Sequence, residues 1–553
     1  MRKKYELISF LAIILGFFMA LLDTTVVNIT LPKMTEYFNT TMDHISWVVN
    51  AYNLASAVIL ITASRLGDQF GRKKFFIAGV FLFTIFSFLC GISTSLKILI
   101  IFRAFQGLCA AFVVTIAMPL SSEVFPPEKR RTIMGLWGAF SGLAAASGPS
   151  IGGIITQFFN WRFIFFINIP IGIICLILTF RFIKESYDPT ATKSIDFFGI
   201  ITISIAMFSL TLALMKGNEN GWNSSFILSL FAASSIFFIL FVITELKVKE
   251  PMVPLSLFKS IQFSCGAISL FLIGLGMMCG SYLLSFFLIQ VKGLNQLSAG
   301  LIISTMSLSS MIFSVIATFL SKKINGRFTS ALGILLLCLS CYLNSSLTQN
   351  SSNMDIILRL IVAGSGTGLS MATIIGATVS NVPVTKIGIA SGITNMTRTI
   401  GTVLGVALFL SIFTSNITLQ MTAAKNAVIN TINKDTVFDA KAKDEMILSI
   451  KTGTKAVSIS KTLSIIDKKE AKVLALSPAA ARDKIRDNFK NQKKETKKIV
   501  PEIKDTFLTY TVKAFSFTFK AGSIILLPGI FIALFTDKKR QQTCSFRNGS
   551  KAI

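Results

Sequence analysis

Long apolar stretches separated by short polar loops dominate this chain. An apolar helix of about 20 residues is long enough to cross a bilayer. Stretches of this kind are predicted near 7–31, 45–63, 75–93, 98–120, 133–157, 163–181, 198–215, 226–245, 263–289, 298–320, 329–347, 356–378, 388–413 and 516–536. The pattern therefore predicts an all-α integral membrane protein with fourteen transmembrane spans.

Basic residues are concentrated in the loops on one side of these spans. They follow spans 2, 4, 6 and 10 and also occupy both chain ends: Arg65, Arg72–Lys74, Lys129–Arg131, Arg181, Lys184, Lys193, Lys322, Lys323, Arg327, Arg2–Lys4 and Lys538–Arg540. Cytoplasmic loops of membrane proteins carry the excess of Lys and Arg. We therefore expect a multi-pass protein of the plasma membrane with both termini in the cytoplasm.

Composition narrows the class of protein. The chain is 52% hydrophobic and only 14% charged, which a soluble domain of this size would not tolerate. The formal charge of +28 belongs to the cytoplasmic loops and one long basic segment, so we expect no nucleic-acid partner. A single histidine, His44, and cysteines that lie mostly in apolar segments provide no metal or catalytic constellation. We expect no enzyme, no cofactor and no metal, and the absence of a phosphate-binding loop argues against an ATP-driven pump.

The spans fall into two halves that resemble each other weakly. Arg103 and Gly107 open span 4, and Arg359 with three following glycines opens span 12. Removing spans 7 and 8 leaves six plus six, and carriers are commonly built from such repeats. We predict an N-terminal half at 1–182, a linker with two extra spans at 183–261, a C-terminal half at 262–414, a loop at 415–515, and the last span with its tail at 516–553.

The segment 415–515 interrupts this pattern with 20 Lys or Arg against 11 Asp or Glu, a net charge of about +9. The span count places it outside the cell, since long loops translocate largely regardless of charge. Hydrophobic positions such as Ile447, Leu448 and Ile450 and few helix breakers predict a mainly helical appendage, with a hairpin near 480–513 running into span 14. It would lie over the exit of the central cavity, where it would gate release or bind anionic envelope polymers through its lysines. A passive insertion remains the alternative.

Asp23 is the most informative single residue, because a carboxylate deep in an apolar span usually marks a substrate or proton path. It lies about 8 residues from the outer end of span 1, and Arg103 lies about 5–6 residues from the outer end of span 4. At about 1.5 Å per residue the two side chains reach matching depth and could pair. Protonation of Asp23 would then release Arg103. A static structural ion pair remains the alternative.

Several segments resemble conserved motifs of one family. They are residues 64–74 (SRLGDQFGRKK), 103–107 (RAFQG), 144–153 (AAASGPSIGG), 22–28 (LDTTVVN) and 161–170 (WRFIFFINIP). The first three resemble motifs of the major facilitator superfamily, and the last two are similar to its fourteen-span drug:proton antiporter family. Ser64 and Ala144 stand where that family usually has glycine.

The resemblance implies a major facilitator fold with 6+2+6 transmembrane helices in two pseudo-symmetric halves. It implies proton coupling by Asp23 and Arg103. It also implies a cytoplasmic gate motif of Asp68, Gly71 and Arg72, and an antiporter motif of Gly148, Pro149, Gly152 and Gly153. We further predict a substrate cavity lined by Thr24, Asn28, Gln106, Met306, Asn395 and Arg398.

Arg398 lies about 10 residues into span 13, with no acid visible in the neighbouring spans, so it should face a cavity, a carbonyl cluster or a substrate group. A generic packing kink at Pro149 and a plain solvated turn at 64–74 remain alternatives for the other two motifs.

The function implied is a bacterial multidrug efflux transporter, a proton antiporter that confers antibiotic resistance. It would be a monomer that handles small amphipathic substrates and protons in the lipid bilayer. A lipid or cell-envelope precursor flippase on the same fold is the main alternative. A nutrient uptake carrier and a sensor built around the outer loop also stay open.

Overall fold

The computed structural model describes residues 2–124, 130–187, 196–248, 251, 253, 255–380, 387–435, 437–438, 443–444, 446–448, 450, 467, 470–471, 473–474, 478 and 482–537. The predicted basic residues Lys129, Lys193 and Lys538–Arg540 lie outside them. The chain divides into two units, one formed by 1–345, 352–411 and 519–553, and the other by 346–351 and 412–518.

The described residues form helices and no strand. In chain order the α-helices are α1 (Arg2–Tyr37), α2 (Met42–Phe70), α3 (Arg72–Ile92), α4 (Leu96–Val124), α5 (Arg130–Phe158), α6 (Phe163–Phe166), α7 (Asn168–Phe182), α8 (Phe197–Asn220), α9 (Ser225–Lys247), α10 (Ile261–Met278), α11 (Leu284–Phe286), α12 (Gln296–Ile324), α13 (Gly326–Asn344), α14 (Asn353–Ser380), α15 (Ile387–Lys434) and α16 (Arg482–Ala533).

Most predicted spans coincide with a helix that can cross a membrane. Twelve described helices are long and apolar enough, and α2 makes thirteen if its two parts, bent by 49°, form one span. The remaining predicted span, 133–157, lies within α5, where glycine, alanine and serine lower the mean hydropathy. The count of fourteen therefore stays a prediction.

Among the described residues of the first unit, three apolar cores are the largest. One joins α1, α3, α4 and α7 around side chains such as Phe76 and Phe83. A second joins α10, α13, α14 and α16 around Ile273 and Ile334. In the third, residues of α8 and α9 pack with residues of α2, α10 and α15. The two extra helices α8 and α9 therefore pack against helices from both predicted halves.

The span α10 continues through two π-helical turns, Cys279–Leu283 and Phe287–Val291, on either side of the short α11. Turns of this kind are rare and often mark functional positions. The Tyr282 hydroxyl in the first turn donates to the carbonyl of Met42, the first residue of α2, at 3.3 Å.

The second unit has its own small core. Val428 and Ile432 of α15 pack with Ile499, Val500 and Ile503 of α16, and other buried members come from the segment between the two helices. The sequence predicts a hairpin near 480–513, but the structure shows one continuous helix, α16, from Arg482 to Ala533. Of the hydrophobic positions singled out in the sequence, Ile450 is buried in this core, whereas Leu448 is 61% exposed.

Candidate functional site: a buried charge network and a glycine-lined helix contact

The structure brings Asp23 of α1 and Arg103 of α4 into a buried ion pair. Their side chains are 0% and 1% exposed, and Arg103 Nη1 lies 2.5 Å from Asp23 Oδ2. The matching depths expected from the helical rise therefore do produce contact. Since desolvating two charges is costly, such a pair needs further hydrogen bonds to persist.

Those further bonds come from two amide side chains. Asn168 Nδ2 donates to Asp23 Oδ1 at 2.9 Å, and Gln106 Nε2 donates to the same oxygen at 3.2 Å. Gln106 Oε1 in turn accepts from Arg103 Nη1 at 2.8 Å. Asp23 therefore accepts three hydrogen bonds, which suits an ionised carboxylate because that form can only accept.

Arg103 is held on its other faces as well. Its Nε donates to the Val48 carbonyl at 3.0 Å, and its guanidinium carbon lies 4.2 Å from the centre of the Tyr52 ring and 5.7 Å from that of Phe165. The Tyr52 hydroxyl donates to the Ala20 carbonyl at 3.2 Å. The guanidinium is thus enclosed by an aromatic face and fixed acceptors, which is the environment that favours arginine over lysine.

Sequence reasoning missed three members of this network. Asn168 begins α7, Tyr52 lies on α2, and Ser87 on α3 accepts from Asn168 Nδ2 at 3.0 Å. The signal was present for Asn168, which is an amide residue within the apolar motif 161–170. Gln106, which is predicted to line the substrate cavity, bonds both members of the ion pair.

The other predicted cavity residues lie on three separate helices. On α1, the Thr24 hydroxyl donates to the Leu21 carbonyl at 2.7 Å, and the buried Asn28 has an amide oxygen without a hydrogen-bond partner among the described residues. Met306 on α12 is 5% exposed. On α15, Asn395 and Arg398 are half-buried, and Arg398 Nε is buried with no hydrogen-bond partner in the part of the chain that the structure describes.

The glycines of the antiporter motif in α5 make close contacts with two helices. A methyl group built on Gly148 would lie 1.9 Å from Thr25 Oγ1, and one on Gly152 would lie 2.7 Å from the Val26 carbonyl, both on α1. A methyl on Gly153 would lie 2.7 Å from the carbonyl of Gln296 on α12. Gly148 and Gly152 therefore face α1, and Gly153 faces α12.

The contact between α5 and α12 is neutral where the structure describes its polar atoms. Ser150 Oγ and Ser304 Oγ lie 2.6 Å apart. A methyl on Gly300 would lie 2.2 Å from the Pro149 carbonyl, so only glycine permits this approach. Small residues commonly let membrane helices come this close.

The predicted gate motif forms a charged cluster with Glu123 of α4 and with Glu185, which follows α7. Gly71 ends α2 with φ at +118°, and a methyl there would meet the Glu185 carboxylate at 2.8 Å. Arg72 Nε donates to Asp68 Oδ1 at 2.8 Å, and Arg72 Nη1 pairs with Glu123 on α4.

The N-terminus of α3 is capped by Glu185, which accepts from Lys73 N at 2.8 Å and Lys74 N at 3.1 Å. Because Glu185 lies more than a hundred residues away in sequence, local spacing could not reveal this cap.

Comparison with known proteins places the fold in context. The family model described as the Major Facilitator Superfamily matches residues 13–406, which is more than half of the chain. The chain belongs to the major facilitator superfamily. This confirms the resemblance seen in the motifs, and the fold class expected from it, at the level of the superfamily.

Relatives point to export. The chain is 30% identical over 393 residues, 71% of its length and 73% of the relative's, to the tetracenomycin C resistance and export protein of Streptomyces glaucescens. It is 31% identical over 395 residues, 71% and 77%, to multidrug resistance protein 3 of Bacillus subtilis.

Among solved structures, a bacterial homologue of the human lysosomal transporter Spinster, in an inward-facing and occupied conformation, matches with a TM-score of 0.55 at 14% identity over 95% of this chain and 96% of that one. At that identity the match supports the fold alone. The family match and the named relatives together show that the protein is a multi-pass membrane transporter and not an enzyme, as the sequence predicts.

Proposed function

We propose that the protein exports small amphipathic compounds, including drugs, across the plasma membrane in exchange for protons. The observation that carries this proposal is the buried Asp23–Arg103 pair with its two amide donors. The names of the relatives, for antibiotic resistance, multidrug resistance and export, support the cargo class.

The geometry suits a proton carrier. In the described state Asp23 accepts from Arg103, Asn168 and Gln106 and has no exposed surface. A proton on Asp23 would remove its charge and with it the attraction for Arg103. Arg103 would keep the Val48 carbonyl and Gln106 Oε1 as acceptors. One proton would therefore break the ion pair and leave the guanidinium with two neutral acceptors and no counter-charge.

Transport in proteoliposomes with an imposed pH gradient and an amphipathic fluorescent dye tests this role. Asp23→Asn should abolish uphill transport, Arg103→Ala should be nearly as damaging, and Arg103→Lys should keep part of the activity because it keeps the charge but loses the planar fork. Glu36→Gln, which disrupts an exposed pair with Lys33, is the matched control. Uphill transport by Asp23→Asn at the wild-type rate would falsify the proton role.

A second candidate function is a flippase for lipids or cell-envelope precursors. One observation favours it: Arg398 holds a buried Nε that has no partner among the described residues, within a membrane-spanning helix, where an anionic head group would supply the missing acceptor. Such a flippase would give lipid asymmetry defects without drug sensitivity when deleted, whereas an exporter gives drug sensitivity that a protonophore reproduces.

The proposal extends to topology and to the segment 415–515. We infer a monomer with both termini in the cytoplasm, so that the segment faces outward and its net charge of about +9 can bind anionic envelope polymers. Replacing about residues 420–505 by a short Gly/Ser bridge tests this. Loss of polymer binding with retained expression is expected, and unchanged binding would leave the segment a passive insertion.

A further inference from the structure

Two buried carboxyl groups lie at one end of the α8–α9 pair. Asp196, the residue before α8, is 7% exposed, and Glu245 in the last turns of α9 is 3% exposed. One oxygen of each is used: Asp196 Oδ1 accepts from Gly199 N at 2.8 Å, and Glu245 Oε2 accepts from Val253 N at 3.0 Å. The second oxygen of each is buried and has no hydrogen-bond partner among the described residues.

The two unused oxygens face the same point. A methyl group built on Gly199 would lie 2.3 Å from Asp196 Oδ2 and 3.0 Å from Glu245 Oε1, and the two side chains are within hydrogen-bonding reach of each other. Two ionised carboxylates in that position would repel, and neither could donate. A single proton would turn the contact into an O–H···O hydrogen bond and satisfy both oxygens.

The charge of the neighbouring arginine is balanced when the carboxyl pair holds one proton. Among the described residues the charged group that faces the pair from another helix is Arg65 of α2, whose guanidinium also donates to the Pro251 carbonyl at 2.5 Å. With one proton the two carboxyl groups and Arg65 carry no net charge. Without it, a negative charge stays uncompensated in a buried place, which is costly.

We propose that Asp196 and Glu245 share one proton and form a second proton-binding site, separate from Asp23. The proton comes from and returns to water, and no other co-reactant is needed.

The site holds the segment that follows α9. Glu245 bonds Val253 and Arg65 bonds Pro251, and Val253 belongs to the apolar core that α8 and α9 form with α2 and α15. Loss of the proton would set the two carboxylates against each other at the base of this core. Proton occupancy therefore sets how firmly the extra helices are held against helices of both predicted halves.

Infrared difference spectroscopy of the full-length protein in nanodiscs tests the shared proton. The wild-type spectrum minus that of Glu245→Gln should contain a carboxylic acid C=O band, and Asp196→Asn should lose the same band. Both variants keep an amide oxygen for the backbone bond and gain an N–H that replaces the shared proton, so both should fold. Glu219→Gln on α8, whose carboxylate pairs with Lys216, is the matched control and should lose only carboxylate absorption.

A second measurement uses the unfolding equilibrium. If the folded protein holds one proton that the unfolded chain releases, the site stabilises at low pH and its contribution is lost as pH rises. As pH rises by one unit, the unfolding equilibrium constant of the wild type should then increase by a factor up to about ten times larger than that of Glu245→Gln. An acid band that survives in both variants, or identical pH dependence of unfolding in wild type and Glu245→Gln, overturns the proposal. Neither outcome depends on Asp23.

Discussion

Removing one charge of the Asp23–Arg103 pair should destabilise the fold, and removing both should restore it. The two side chains are 0% and 1% exposed, so a lone charge left behind cannot reach water. Breaking a buried ion pair by removing one partner costs about 3–5 kcal/mol, whereas replacing both charges is often close to neutral. We expect Asp23→Asn and Arg103→Gln each to lower the free energy of unfolding by about 3–5 kcal/mol.

The double variant, which combines Asp23→Asn with Arg103→Gln, tests whether an uncompensated charge causes the destabilisation. The two introduced side chains would be neutral amides able to bond each other and Gln106. The double variant should therefore lie within about 1.5 kcal/mol of wild type, the worth of one neutral hydrogen bond. Glu36→Gln, in an exposed pair whose side chains are 50% and 65% accessible, should cost only about 0–1 kcal/mol.

Unfolding in detergent and proton-driven transport should be measured on the same preparations. All three charge variants should fail to couple transport to protons, although the double variant is stable. If the double variant is no more stable than the singles, the cost does not come from an uncompensated charge and the electrostatic account is wrong. If the singles unfold like wild type, water reaches the pair and it is not sealed.

Three further predictions follow from single contacts. Asn168→Ala removes a hydrogen bond to the buried Asp23 carboxylate, and a bond of this kind contributes about 1.5–3 kcal/mol. Proton-coupled transport should therefore slow by at least about tenfold, whereas Asn160→Ala, at an exposed position, should leave the rate unchanged. Equal rates in the two variants would refute a positioning role for Asn168. Gly148→Ala puts a methyl 1.9 Å from the Thr25 hydroxyl oxygen of α1 and should impair dye efflux. The control Gly376→Ala, whose methyl would have nothing within 4 Å, should leave efflux unchanged. Unimpaired efflux by Gly148→Ala would show that α1 and α5 can separate there. Arg398→Gln should reduce transport of anionic substrates more than that of neutral ones, measured as a ratio of initial rates, and an unchanged ratio would exclude an anion-binding role.

The sequence could predict features that depend on one helix alone, or on the depths of two residues in the membrane. Hydropathy placed each predicted span in a helical segment, because apolar length alone decides that. The pairing of Asp23 with Arg103 followed from the constant rise of a helix, which needs no knowledge of neighbours.

What sequence could not predict depends on which helices meet. Asn168 reaches Asp23 only because α7 packs beside α1, and Glu185 caps α3 from far along the chain. The hairpin expected near 480–513 failed for a local reason. Pro501 lies within α16 without ending it, so the helix runs on and no turn forms there.

The polar part of the contact between α5 and α12 is neutral, which limits the free energy needed to break it. Its described polar bond is between two hydroxyls, Ser150 and Ser304, and a neutral hydrogen bond contributes about 0.5–1.5 kcal/mol. One proton moving down a gradient of one pH unit releases about 1.4 kcal/mol. Breaking the hydroxyl pair between these glycine surfaces therefore costs no more than a single proton releases. An ion pair at the same crossing would demand several protons for each opening.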